Sequence, residues 1–122
     1  MNIEWGKILS TNPGENALAN FLNHFGASRY SYKPSLIAVY SAGPFGGVRA
    51  AMQMRAMTGE IGCLSVSPIF SAPTAQTSLD DNGTPVAPNG PLLEKQAENC
   101  FKQLEWMAEA MKKQRDSVGL PK

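Results

Sequence analysis

The sequence predicts a single α/β domain in which helices cover a parallel sheet. Residues 36–40 are apolar without alternation, which is typical of a strand buried on both faces. Strands of this kind belong to parallel sheets with helices above and below. Residues 48–58 are strong helix formers, and residues 63–67 are typical of a second strand that ends at Pro68. The order strand, helix, strand predicts a βαβ unit with a right-handed crossover.

The part of the chain before this unit predicts one helix. Residues 1–15 contain a few scattered apolar side chains and indicate at most a short, frayed strand. Apolar residues then recur at helical spacing between Ala17 and Phe25, and Gly26 is a natural stop. We therefore expect an amphipathic helix over residues 16–25.

The helix over residues 48–58 has apolar side chains on more than one side. They form two stripes, Val48, Ala51 and Met52 in the first and Ala50, Met54 and Met57 in the second. A surface helix normally shows a single stripe facing the core. We therefore expect one stripe to contact the sheet and the other to form an isologous contact in a homodimer.

The carboxyl-terminal part of the chain predicts a surface excursion followed by a long helix. Residues 68–91 are rich in proline and contain a polar turn at residues 80–83, which we read as a solvated turn rather than a metal site. Residues 91–115 predict an amphipathic helix that packs on one face of the sheet. Its apolar stripe consists of Leu93, Ala97, Cys100, Leu104, Met107 and Met111.

Composition excludes several classes of function. The 122 residues carry 11 Lys and Arg against 10 Asp and Glu, so no basic excess points to nucleic acid or to an anionic membrane. No apolar run approaches the ~20 residues that span a bilayer, and we expect a cytoplasmic protein. Cys63 and Cys100 are expected to be reduced, structural thiols. With His24 as the single histidine, a His-rich zinc site is excluded, and no nucleophile motif accompanies His24.

The loop that joins the first strand to the following helix is the candidate binding site. Ligands of parallel α/β sheets bind outside the carboxyl ends of the strands, where residues 41–47 lie. Glycines there let a flat ring or a phosphate approach the backbone, and the helix start offers free N–H groups. The same glycines could equally serve a tight turn, and the loop matches neither a dinucleotide nor a triphosphate motif. The candidate residues are Ser41, Gly43, Pro44, Phe45, Gly46 and Gly47.

Residues 33–73 contain this loop as Ser-Ala-Gly-Pro-Phe-Gly-Gly, followed by Val48 and Arg49. The stretch resembles the second half of the NAD(P)H-dependent FMN reductases, whose fold is flavodoxin-like. Residues 17–25 and the acidic turn at 80–83 are similar to further parts of that family, so the resemblance spans about residues 16–115. It implies a flavodoxin-like, three-layer parallel sheet truncated on its amino-terminal side, with residues 1–122 as one partial domain.

The resemblance also implies a function. It predicts an FMN- and NAD(P)H-dependent oxidoreductase in which flavin mediates hydride and electron transfer, with residues 41–47 along the isoalloxazine edge and pairing into a dimer. The family's G-S-x-R-x-x-S phosphate loop and its P-x-Y-N segment have no counterpart in the 122 residues. We therefore expect weak FMN binding or none in this chain. The alternative is a non-catalytic, flavodoxin-like remnant that acts as a dimerising or regulatory module.

Overall fold

The computed structural model describes residues 14–121, and side chains from Leu18 onward. The helices are α1 (Gly14–Asn23), α2 (Val48–Glu60), α3 (Ala75–Ser78) and α4 (Gly90–Val118), with a short 3₁₀ turn at Ala27–Arg29. The strands are β1 (Lys33–Ser35), β2 (Ala38–Tyr40), β3 (Cys63–Ser65) and β4 (Phe70–Ala72). The molecule is thus a mixed α/β structure with short parallel strands. The strand that residues 1–15 suggest falls almost wholly outside the described residues.

The four strands form two short parallel pairs that follow one another along a single ribbon. β1 pairs with β3 and β2 pairs with β4, with Lys33 opposite Cys63 and Ala38 opposite Phe70. Between the pairs, the Val66 N–H donates to the Ser35 carbonyl at 2.9 Å, and the Phe70 N–H donates to Ile37 at 3.0 Å. The second strand of the ribbon contains two more residues than the first between these pairs. The ribbon therefore bulges at residues 66–69.

The strands are parallel, as predicted, but the two predicted strands pair with other segments than each other: β2 pairs with β4, and β3 pairs with β1. Their bounds also differ from those predicted. The first strand begins at Lys33 and is interrupted at residues 36–37, while the second ends at Ser65 rather than at residue 67. Pro68 has no N–H to donate to the ladder, so the regular pairing stops before it and resumes at Phe70. β4 was not predicted from the sequence, because it follows a proline and contains only Phe-Ser-Ala.

The helices pack on this ribbon as the apolar stripes predict. α2 contacts β2 and β3, and α4 contacts β1 and β4, which confirms the docking of the last helix. Leu93 and Cys100 of its stripe are buried. The core consists of Ile37, Val39, Ala51 and Met54, with Leu18, Leu22, Met57 and Ile69 packed around it.

The second apolar stripe of α2 turns out to be part of the core. Met54 is only 6% exposed and Met57 is half-buried, because both sides of this stripe meet the ribbon and α1. Of the three methionines, Met52 is the exposed one at 50%. The expectation that a monomer exposes some of the methionines Met52, Met54 and Met57 is confirmed by Met52, which lies with the exposed Val48 on the outward face of α2.

The excursion over residues 68–91 is more ordered than its composition suggests. Besides β4 and α3, it contains a tight turn in which Asp80 accepts hydrogen bonds from the N–H groups of Asn82 and Thr84 at 2.9 and 2.8 Å. Ser78 is fully buried, donates to the Pro73 carbonyl and accepts from the Asn89 amide. The polar turn at residues 80–83 is confirmed, and the whole segment is tied to the start of α4.

Two further properties of the sequence are visible in the fold. Cys63 and Cys100 are buried and form no disulfide, and burial raises the pKa of the Cys100 thiol. Within residues 14–121, no helix combines the length and apolar character needed to cross a membrane.

Candidate functional site

The loop over residues 41–47 lies where two parallel strands end. It leaves β2, enters α2 and packs against the segment that follows β4. The Ser41 N–H donates to the Ala72 carbonyl at 3.2 Å, and the Ser41 carbonyl accepts from Ala75 at 3.0 Å. The Thr74 N–H donates to Gly43 at 3.1 Å. The carboxyl ends of β2 and β4 therefore form one continuous surface, the place where parallel sheets bind ligands.

Side chains strengthen the contact between the two segments. The Ser41 hydroxyl donates to the Gly43 carbonyl at 3.0 Å, and the Gln76 amide donates to Ala42 at 3.2 Å. The Ser71 hydroxyl donates to the Gly46 carbonyl at 3.1 Å. The loop's carbonyls are thus largely occupied by the protein, and its exposed face is made of Gly43, Pro44 and Phe45.

The glycines of the loop serve different purposes. Gly46 and Gly47 have positive φ values of 57° and 81°, a conformation that favours glycine. Gly46 is buried, and a Cβ there would overlap the Ser71 hydroxyl and lie 3.1 Å from the Pro73 nitrogen. The tight turn therefore explains by itself why a glycine stands at position 46. A Cβ on Gly43 would meet only the Ser41 hydroxyl at 3.9 Å, so Gly43 is the glycine that keeps open space above the loop.

The exposed face of the loop offers groups that suit a flat, partly polar ring. Phe45 is 82% exposed at the tip of the loop. Among residues 14–121, no protein acceptor takes a hydrogen bond from the backbone N–H groups of Arg49 and Ala50 in the first turn of α2. Unpaired N–H groups at a helix start can donate to carbonyl or anionic oxygens. An exposed aromatic ring, an open glycine and free N–H donors are the groups that this loop could offer to a ligand.

The loop carries no titratable side chain, so it supplies no general acid or base. The nearest charge along the chain is Arg49, which is exposed. The ion pairs of the described residues lie on α4, where Lys102 lowers the pKa of Glu98 and Lys112 lowers the pKa of Asp116. Within residues 14–121, no group of three His, Cys, Asp or Glu side chains could hold a metal ion. Any redox chemistry at this loop would come from a bound cofactor.

The structure adds two residues to the site that the sequence did not indicate. Thr74 adopts a left-handed conformation with φ of 44°, and Gln76 reaches back to the loop. Both belong to the segment after β4, whose role depends on a strand that the sequence did not predict. A cavity of about 550 Å³ lies elsewhere, and no residue of 41–47 lines it.

The fold and the site define a mixed α/β protein with a strand-to-helix loop at the carboxyl edge of a parallel ribbon. The chain matches no family model, no curated protein and no solved structure. The resemblance to the FMN reductases therefore remains a prediction that depends on the residues of the loop.

Proposed function

We propose that this chain is part of an NAD(P)H-dependent FMN reductase-type oxidoreductase with a flavodoxin-like fold. The observation that supports this best is the junction of the loop at 41–47 with the carboxyl end of β4. The loop also carries an open glycine and an exposed aromatic ring, and free N–H donors follow it in the first turn of α2. The absence of an acid–base pair from the loop agrees with chemistry supplied by a cofactor.

Each residue of the loop has a distinct part in this proposal. Gly43 leaves room for the isoalloxazine edge, and Pro44 and Phe45 supply apolar contact. Ser41 holds the loop through its bond to the Gly43 carbonyl. Gly46 and Gly47 shape the turn into α2. Bound FMN would accept a hydride from NAD(P)H and pass electrons on, while the loop positions the ring.

The phosphate of FMN has no dedicated anchor in these 122 residues. The G-S-x-R-x-x-S pattern is absent from the sequence. Each charge-assisted phosphate contact is worth ~1.5–3 kcal/mol, so the loss of three such contacts weakens binding by at least about a thousandfold. We therefore expect weak binding in which the phosphate contributes little.

A titration of the purified chain with FMN and with riboflavin tests this proposal. We expect amide NMR shifts at residues 41–47 and 74–76, no saturation at micromolar flavin, and similar affinities for the two flavins. Gly43→Val should reduce the shifts without loss of stability, because its Cβ would enter open space. Gly59→Ala, also in open space but at the other end of α2, is the control.

The titration separates the proposed function from the expected weak affinity. Shifts that avoid the loop, or none at millimolar flavin, would remove the flavin interpretation. Saturation at micromolar FMN with NADPH oxidation would support the proposed activity and contradict only the expected weak binding, since the missing phosphate pattern would then cost little affinity.

A dimerising module is the second candidate function. Val48 and Met52 are four residues apart on α2 and both exposed, so they share its outer face, and Phe45 in the loop just before α2 is also exposed. An apolar face of this kind usually marks an interface. We expect a homodimer in sedimentation that Met52→Glu converts to monomer, whereas Gln53→Glu adds the same charge beside the face and leaves the dimer intact. A monomeric wild-type chain at tens of micromolar would contradict this candidate.

A further inference from the structure

A cavity of about 550 Å³ lies beside the ribbon, between α1, α2 and α4, and residues of all four strands line it. Its walls are mostly apolar and include Leu18, Phe21, Leu36, Met54, Phe70 and Leu104. No Asp, Glu, Lys, Arg or His is among the described residues that line it. An occupant of this cavity is therefore uncharged.

The polar side chains in the cavity wall are mostly committed to the protein. The Ser35 and Thr58 hydroxyls lie 3.2 and 2.8 Å from the Ser65 hydroxyl, which links them. The side chains of the wall thus offer an occupant little beyond apolar contact.

The backbone of the first strand of the ribbon differs from these side chains, because it forms hydrogen bonds only on the side that faces the second strand. The Ser35 and Ile37 carbonyls accept from the second strand, and the Ser41 N–H donates to it. Successive residues of a strand point their backbone groups to opposite sides. The groups of Leu36 and Ala38 therefore face away from the second strand, and both residues line the cavity. Within residues 14–121, neither residue hydrogen-bonds through these groups to another element.

These two features together specify the chemistry of the occupant. A small apolar molecule would fill the walls but leave the backbone groups of Leu36 and Ala38 unpaired, and unpaired groups in an apolar site are costly. An extended polypeptide satisfies both, since it carries apolar side chains and supplies its own N–H and carbonyl groups. Parallel strands are normally buried in larger sheets, and a ribbon of two strands is marginal alone.

We propose that the edge formed by residues 34–40 accepts an extended strand from another polypeptide, one whose side chains facing the cavity are apolar and uncharged. The strand adds to β1 and β2 as a third strand and fills the cavity between α1 and α4. This site is separate from the loop at 41–47, so flavin binding and strand binding can succeed or fail independently.

The test uses the full chain and a fluorescein-labelled peptide of alternating valine and threonine with a lysine at each end. We expect saturable binding by fluorescence anisotropy, together with slower hydrogen exchange at the Leu36 and Ala38 amides. The same peptide N-methylated at alternate residues should bind at least about tenfold more weakly, because it lacks the donors and acceptor access that pair with the edge. This control leaves the protein unchanged.

A matched pair of protein variants locates the site. Ala38→Pro removes the outward N–H, which an edge strand tolerates, and should weaken peptide binding about tenfold or more. Ala38→Val keeps the N–H and should bind normally.

Three results would overturn the proposal. One is binding that N-methylation does not affect. Another is binding of the apolar dye 1-aminoanthracene that the peptide does not displace, since the cavity would then suit a small molecule. The third is slow exchange of the Leu36 and Ala38 amides before peptide is added, which would show that the edge is already paired.

Discussion

Individual glycines show how differently one residue type is used in this chain. Gly46 combines a positive φ with a buried position against Ser71 and Pro73. Gly83 also has a positive φ, of 81°, but stands in open space. Gly43 and Gly59 have neither constraint. The glycine-rich loop is therefore held by Gly46 and kept accessible by Gly43, two roles that spacing alone does not separate.

Substitution of Gly83 and of Gly46 by alanine separates the energetic cost of backbone strain from the cost of steric overlap. Gly83→Ala should lower the free energy of unfolding by about 1 kcal/mol, from the left-handed conformation alone. Gly46→Ala should cost at least about 2 kcal/mol, because its methyl group must also displace Ser71 or Pro73. Urea unfolding followed by circular dichroism measures both. Equal effects of the two substitutions would show that the loop yields freely around Gly46.

Among the structural elements, the bulged ribbon depends on a small group of hydroxyls. Ser65 at the end of β3 meets Ser35 of β1 at 3.2 Å and Thr58 of α2 at 2.8 Å. The Thr58 hydroxyl also approaches the Arg55 carbonyl at 3.2 Å. These bonds join two strands and a helix just before the ladder is interrupted. A strand pair of three residues gains most from such links, since its own ladder is short.

Removal of the central hydroxyl tests how much this group stabilises the ribbon. Ser65→Ala should reduce the free energy of unfolding by about 1–2 kcal/mol, because two hydrogen bonds of ~1 kcal/mol each are lost. Ser67→Ala, two residues later and exposed, should change it by less than about 0.5 kcal/mol. Thermal unfolding of the two variants in parallel provides the comparison. If Ser67→Ala proved as harmful as Ser65→Ala, the hydroxyl group would not be the cause.

At the scale of the whole molecule, a small core holds a ribbon that is only two strands wide. Ile37 and Val39 come from the ribbon, and Ala51 and Met54 come from α2. α4 adds Leu93 and Cys100, each buried. The cavity beside the ribbon removes potential contacts from this core. Overall stability therefore depends strongly on the few large side chains that are fully packed.

Truncation of Met54 and of Met52, two methionines of α2, should change the stability by very different amounts. Met54→Ala should cost about 2–4 kcal/mol, since it removes a buried side chain next to an existing cavity. Met52→Ala should change the stability of the monomer by no more than about 0.5 kcal/mol, because Met52 is half exposed. Guanidinium unfolding at low protein concentration checks both values. A large loss from Met52→Ala would contradict the assignment of Met52 to the outer face.

The sequence by itself determined the elements whose signals are local. The apolar run at 36–40, the helix formers after Gly47 and the stripe from Leu93 to Met111 each specify an element, because period and composition act within a few residues. They also predict the loop at 41–47 as the candidate site. The parallel direction of the strands was predicted from the unbroken apolar run at 36–40, although in the structure only alternate residues of that run, Ile37 and Val39, are fully buried.

Only the tertiary structure decided which surfaces meet. β4, Thr74 and Gln76 join the loop because a strand too weak to predict is held by pairing with β2. The two stripes of α2 look alike in sequence, and the fold buries the second stripe together with Ala51 of the first, while Val48 and Met52 stay exposed. The open edge along the cavity likewise results from strand pairing on one side only. Such outcomes depend on contacts between distant residues, and local sequence patterns do not encode them.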